Sequence, residues 1–240
     1  SLPLVLCLGL LVAGCKPQPV AGSPIRREPA VTSGKPKPTQ STAPSGPSLA
    51  DISHELKNDS YEYYGLGREK PMTMSVTANG TTNPGSQDVR LLAVKPDEAQ
   101  FEIISTDALA IMGRNVFALR KDGIHVIESD MTKTDPAEFE LPAGLQPGRS
   151  WTVNQSSENN GGAMKLRLVQ TVVRTEKLKT KVAEYPDALL VTGVGTGTLN
   201  GKPLTIETKS WFVKGRGNVK YIIKQSSAGK TAETTVEEIP

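Results

Sequence analysis

NVFALRKDGIHVIES, residues 115–129, decides the fold class. Two short runs rich in β-branched and aromatic residues stand on either side of Asp122-Gly123. Asp-Gly is among the strongest short-range hairpin signals, because tight hairpin turns need positive φ, which Gly adopts freely and Asp tolerates. Each run has the ordinary length of a strand. The stretch therefore reads as an antiparallel hairpin with Asp122-Gly123 at its turn.

The same pattern continues in both directions. MTMSVTA (72–78) alternates Met72, Met74, Val76 and Ala78 with Thr73, Ser75 and Thr77, and NGTTNPGS (79–86) reads as a turn-rich loop. VRLLAV (89–94) and QFEIIS (100–105) surround Lys95-Pro96-Asp97-Glu98, a hairpin connection. Toward the C-terminus come SWTVNQ (150–155) and MKLRLVQTVVRTE (164–176), then LKTKVAEY (178–185) and ALLVTGVGTGTL (188–199), which flank Pro186-Asp187. PLTIETKSWFVK (203–214) and NVKYIIKQSS (218–227), joined by Gly215-Arg216-Gly217, precede TAETTVEEI (231–239). Helix signals are few: SLADISHELKN (48–58) suits a short amphipathic helix with Ser48 as cap and Ile52 and Leu56 inside, and Ala108–Arg114 is ambiguous. About ten strands on short loops, with no βαβ alternation, predict an all-β, mainly antiparallel fold: a twisted sheet forming an open barrel or a sandwich.

The first fifty residues have a different character. Residues 2–14, LPLVLCLGLLVAG, are apolar and uncharged, shorter than the ~20 residues a membrane-spanning helix needs and suited to the hydrophobic region of an export signal. A basic segment ahead of Ser1 is expected to complete that signal. Residues 16–50 hold eight prolines and almost no large apolar side chains, so they cannot bury enough surface to offset chain entropy. Five basic residues there against Glu28 carry +4, so the overall +3 leaves −1 on residues 51–240. The globular part has no basic excess, which excludes a nucleic-acid-binding surface of the usual kind. The expected organisation is a signal over 1–14, a tether over 15–50 and one β-domain over 51–240.

The apolar run ends in Val12-Ala13-Gly14-Cys15, which resembles the lipobox of bacterial lipoproteins: an aliphatic residue, two small ones, and the cysteine that becomes the first residue. The resemblance implies a diacylglycerol thioether and further acylation on Cys15, removal of Cys7 with the signal, and a mature chain whose one cysteine is the anchor. Disulfides, thiol catalysis and cysteine-ligated zinc are then excluded. The partner so implied is a membrane, reached through lipid on Cys15. Lys16 in place of Asp implies, by the same resemblance, sorting to the periplasmic face of the outer membrane in a Gram-negative cell. The tether reads as a spacer, able to reach roughly 100 Å if stiff, at ~3.1 Å per residue.

Chemistry-bearing residues are sparse. His125 lies two residues beyond Asp122-Gly123 and reads as a half-exposed strand histidine; His54 has no obvious partner. No nucleophile elbow is present. GVGTGTLNG (193–201) fits neither the P-loop nor the dinucleotide fingerprint, and its glycines read as close packing, a bend or a bulge. The carboxylates Asp122, Glu128, Asp130, Asp135, Glu138 and Glu140 are scattered, and ESDMTKTD (128–135) lacks the acidic spacing and glycine of a calcium loop and reads as a solvated loop. No catalytic residue, metal ligand or cofactor site is expected.

The aromatic signals are sharper. LPAGLQPGRSWTV (141–153) sets Trp151 after a Pro-Gly turn, and KSWFVKGRGNVKYI (209–222) sets Trp211 before a Gly-x-Gly connection. With VAEYPDALLVTG (182–193) and Tyr63-Tyr64-Gly65-Leu66-Gly67, these resemble a broad group of exported bacterial β-sheet proteins, several of them lipid-anchored. That resemblance implies fold and location but no catalytic residue. Both tryptophans are expected in the core or at its edge, and Gly215 and Gly217 at positive φ. Three functional classes follow: a non-enzymatic lipid-anchored domain binding an envelope protein, glycan or lipid; a carrier with an apolar cavity inside the barrel; and a hydrolase, which needs His125 beside a serine and a carboxylate in a cleft.

Overall fold

The computed structural model describes residues 46–130, 138–159 and 162–240; the apolar run, Cys7, Cys15 and most of the tether lie outside the described residues. The described residues form one antiparallel sheet. Its strands are β1 Met72–Ala78, β2 Thr81–Val94, β3 Ala99–Asp107, β4 Arg114–Arg120, β5 Gly123–Ser129 and β6 Glu138–Pro142, then β7 Ser150–Asn159, β8 Gly162–Lys179, β9 Glu184–Leu199, β10 Lys202–Val213, β11 Gly217–Ser227 and β12 Lys230–Glu238.

The spatial order is β6-β5-β4-β3-β2-β1-β12-β11-β10-β9-β8-β7. The chain thus makes two meanders of consecutive hairpins, and the ladder between the first and last strands joins them, with Val76 opposite Val236. The free edges β6 and β7 approach each other without a shared ladder, so the sheet is a nearly closed barrel and not a sandwich. The loop between them bridges both meanders: the Ala143 N–H donates to the Asp122 carbonyl, and the Gly148 N–H to the Val172 carbonyl in β8. An exposed edge invites pairing with other chains, and near-closure removes most of that exposure.

The residues ahead of β1 form a plug, with Ile52, Leu56, Tyr61, Tyr63, Tyr64 and Leu66 buried. Ser48 caps a 3-10 turn at Leu49–Asp51, and Asn58 caps a short helix, α1, at Asp59–Tyr64. The 48–58 segment is therefore not the continuous helix expected, although Ile52 and Leu56 are buried as its pattern implied. Three polar ties hold the plug. Asn58 Nδ2 donates to the carbonyls of Arg120 and Lys121, Asp59 accepts from the N–H groups of Gly144 and Leu145, and the Glu62 carbonyl accepts from Gly215 N–H at 2.8 Å. Below them Leu56, Tyr64 and Leu66 pack with Phe101, Phe117 and Phe212, with the Tyr64 ring edge-on to Phe117 at 5.3 Å between centroids. A second core cluster lies around Met74, Leu168, Ile206, Tyr221 and Val236, joined by Leu109 and Met112 from a 3-10 turn in the ambiguous 108–114 segment.

Four features depart from the expected strands. In 79–86 only Asn79-Gly80 turns, at φ of 51° and 77°; β2 begins at Thr81. Pro84 is accommodated because it stands one residue beyond the end of the β2–β3 ladder, where its missing N–H leaves no ladder bond unmade. Pro186-Asp187 lies within β9 instead of turning the chain. The turn is Thr180–Ala183, where Thr180 Oγ1 accepts from Val182 and Ala183 N–H, and Pro186-Asp187 falls at the register shift between Glu176 and Leu178. The β4–β5 turn is Lys121-Asp122, with Gly123 at φ 137° as the first residue of β5, paired with Arg120. Strand β6 has no counterpart among the expected strands.

Candidate functional site

Two segments far apart in sequence meet at the rim of the barrel. Gly65 ends α1 in the left-handed conformation at φ 68°, and a Cβ there would stand 2.5 Å from the Arg216 carbonyl carbon. Gly217, at φ 101°, faces it: a Cβ there would lie 2.8 Å from the Tyr64 carbonyl oxygen and 3.2 Å from Arg68 Nη1. The Tyr-Gly segment at 63–67 and the Gly-Arg-Gly turn at 215–217 are thus one packed junction, and both glycines are needed for the close approach. Gly217→Val should therefore destabilise clearly more than Gly215→Val. Both positions hold positive φ, where an L side chain costs roughly 1–2 kcal/mol, but a Cβ at Gly215 meets nothing within 4 Å. Thermal melts of the two variants check this; equal losses would mean that the plug yields to the added side chain.

Polar groups gather around this junction. The Glu238 carboxylate is fully buried and accepts from Arg216 Nη2 at 2.8 Å, Thr180 Oγ1 at 2.7 Å and Tyr185 Oη at 2.5 Å. Burial and the hydrogen bond to Glu238 push the Tyr185 phenol up to about 12, and the same carboxylate raises Arg216 above its usual value. A buried carboxylate with three donors is a satisfied one, and it holds the turn, the β8–β9 connection and the end of β12 together.

Beside it runs a cleft of about 280 Å³, with Arg68–Met72 on one wall and Gly215 and Arg216 on the other. Burial pushes the Arg68 guanidinium down to about 10, which leaves it charged at physiological pH. Its contacts are long: Nη1 to the Arg216 carbonyl at 3.5 Å and Nη2 to the Gln87 carbonyl at 3.4 Å. Its Nε is buried with no hydrogen-bond partner.

No known protein family matches the sequence, and no curated protein does. Three solved structures are similar in overall form. A Parabacteroides distasonis protein assigned as a lipoprotein is 11% identical over 74% of this chain and 96% of its own, with a TM-score of 0.47. A Bacteroides fragilis protein assigned as exported, with a YmcC-like fold, is 12% identical over 71% of this chain and 94% of its own, with a TM-score of 0.49. The hypothetical Escherichia coli lipoprotein YmcC is 10% identical over 73% of this chain and 86% of its own, with a TM-score of 0.34. With TM-scores below 0.5 these likenesses transfer neither site residues nor an activity.

Cys15 lies outside the described residues, as does Asp135. His125 is buried, not half-exposed, because β6 covers it: Phe139 lies over the ring at 4.3 Å, and Nε2 is 3.0 Å from Asp122 Oδ1. Among the described residues its Nδ1 has no hydrogen-bond partner, and no serine is bonded to either ring nitrogen. His54 is exposed. Gly193 and Gly195 lie under Leu168, with Leu166 also over Gly195, so the glycine-rich stretch of β9 marks close packing. Trp151 and Trp211 are both buried, and Trp211 Nε1 donates to Glu176 Oε1 at 2.8 Å, which lowers the Glu176 carboxyl below its usual range. Gly215 and Gly217 hold positive φ as expected.

Sequence reasoning did not find Arg68, Lys70 or Glu238. Glu238 left a signal: in TAETTVEEI it is in phase with Thr234 and Val236 on the buried face of β12. Arg68 and Arg216 left none, because 148 positions separate them. No helix among the described residues is long and apolar enough to cross a membrane.

Proposed function

We propose that the protein is a non-enzymatic binding domain held on an extracytoplasmic membrane face by lipid on Cys15, with the Pro-rich tether as its spacer. The observation that carries the choice of binding over carriage is the packing of the barrel. Tyr64, Phe101, Phe117, Leu56 and Leu66 are essentially fully buried where an apolar ligand would have to lie, and the plug is tied to three separate loops. Ligand contacts therefore fall to the rim and outer surface. His125, enclosed by Phe139 and held to Asp122, supports a structural histidine in place of a general base.

The anchor rests on Val12-Ala13-Gly14-Cys15, the apolar run before it and the tether after it. Three acyl chains would exceed the two signals that stable membrane attachment requires. Lys16 supports delivery to the outer membrane, with the domain in the periplasm. Cys15→Ser, expressed in a Gram-negative host behind a functional export signal, is expected to move the protein from the membrane to the soluble fraction. An unchanged distribution, with no palmitate incorporated by the parent, would rule the anchor out.

A further inference from the structure

Arg68 is a half-buried cation for which the described residues provide no carboxylate at ion-pairing distance. Asp88, whose charge acts on Arg68, is bound to Arg90 at 2.9 Å. Glu238 is likewise committed to Arg216. A buried guanidinium normally finds a carboxylate or strong acceptors, because its desolvation is costly when uncompensated. Here Nε finds none, and the Nη groups reach only two carbonyls at distances beyond an ordinary N–H···O bond.

The surroundings hold the group in this state. Gly217 supplies the room, since a Cβ there would press on Nη1. The Arg216 side chain that shares the cleft is fixed by Glu238. Lys70, exposed on the same wall, has no ion-pair partner among the described residues and stands two residues from Arg68. Among the described residues Glu69 is the one carboxylate lining the cleft, and it too is exposed. Against it stand Arg68, Lys70 and the already paired Arg216, so the cleft keeps a positive excess. Its volume suits a single small anionic group with Pro71 and Met72 alongside, smaller than most drug-sized ligand sites.

We propose that this cleft is an oxyanion site that takes a phosphate group, gripped by the Arg68 fork with Lys70 at its mouth. Guanidinium matches phosphate oxygens bidentately, and such charge-assisted bonds are roughly twice as strong as neutral ones. The phosphate would belong to an anionic lipid headgroup or to a soluble phosphate compound, and the two are separable by experiment.

The test uses the mature chain, residues 15–240, carrying Cys15→Ser so that membrane attachment cannot mask the result. Inorganic phosphate is titrated while the Arg68 Nε–Hε resonance is followed by NMR, with chloride at equal ionic strength as the control. The expected result is a saturable shift with phosphate only. Arg68→Gln should weaken phosphate binding about tenfold, and Lys70→Gln about threefold, as loss of one charge-assisted contact implies. Circular dichroism confirms that each variant is folded; Lys70 is exposed, so its variant remains informative if Arg68→Gln unfolds. Vesicles of phosphatidylglycerol and of phosphatidylcholine then identify the source. Adherence to phosphatidylglycerol alone that is lost in Lys70→Gln or Arg68→Gln assigns a lipid headgroup; adherence unaffected by either, with phosphate saturation intact, assigns a soluble phosphate. A shift no larger with phosphate than with chloride, or an unchanged phosphate affinity in both folded variants, overturns the proposal. Neither result bears on the lipid anchor, which the proposal does not require.

Discussion

Tyr64→Ala is expected to lower the melting temperature of the domain by about 6–20 °C. The side chain is fully buried, sits edge-on to Phe117, and belongs to the plug that fills one end of the barrel. Truncating a buried aromatic to Ala typically costs about 3–5 kcal/mol, and in a domain of this size each kcal/mol moves the midpoint by about 2–4 °C. Tyr64→Phe keeps the ring packing and should melt far closer to the parent. If Tyr64→Ala melted like the parent, residues 46–71 would be a strap laid on the barrel and not part of its core. The interior would then be open to a ligand, and the carrier reading would displace the binding one.

Trp211→Ala should destabilise by a comparable amount, again about 3–5 kcal/mol, a large part of the roughly 5–15 kcal/mol that holds a domain folded. Trp211 is buried in the second cluster and its neighbour Phe212 in the first, because consecutive residues of a strand face opposite sides of the sheet. The indole N–H to Glu176 adds a polar tie between β10 and β8. Trp211→Phe restores most of the volume but not the hydrogen bond, so its loss should be smaller. Denaturant unfolding of the three proteins separates these contributions. A Trp211→Ala variant as stable as its parent that nonetheless lost an envelope partner would make this hairpin a binding surface.

The strands were legible wherever the information was local. Met72–Ala78 alternates with period two and is a strand over those same residues, and the Lys95–Glu98 turn closes with a 2.7 Å bond from Lys95 N–H to the Glu98 carbonyl. The reading failed where pairing partners decided. Pro186-Asp187 carries turn chemistry, but a bulge absorbs it because the β8–β9 ladder continues on both sides. EFELP makes only a five-residue strand, and it forms because β5 offers an unpaired edge. The plug was half legible: the burial of Ile52 and Leu56 followed from spacing, whereas its place across the barrel depends on Asn58, Asp59 and Glu62 reaching residues 62 to 153 positions away. The cleft was invisible for the same reason, since its walls come from opposite ends of the domain.

A lipid anchor on Cys15 would be a covalent change, so mass reads it directly. The most direct measurement is the mass of the N-terminal tryptic peptide of the protein isolated from membranes of an expressing Gram-negative host. The account predicts a peptide that begins at Cys15, ends at Arg26 or Arg27 because trypsin does not cut Lys16-Pro17, and carries a diacylglycerol thioether with an acylated amino group. A peptide in which residues preceding Cys15 remain attached, or in which Cys15 bears a free thiol, would contradict it.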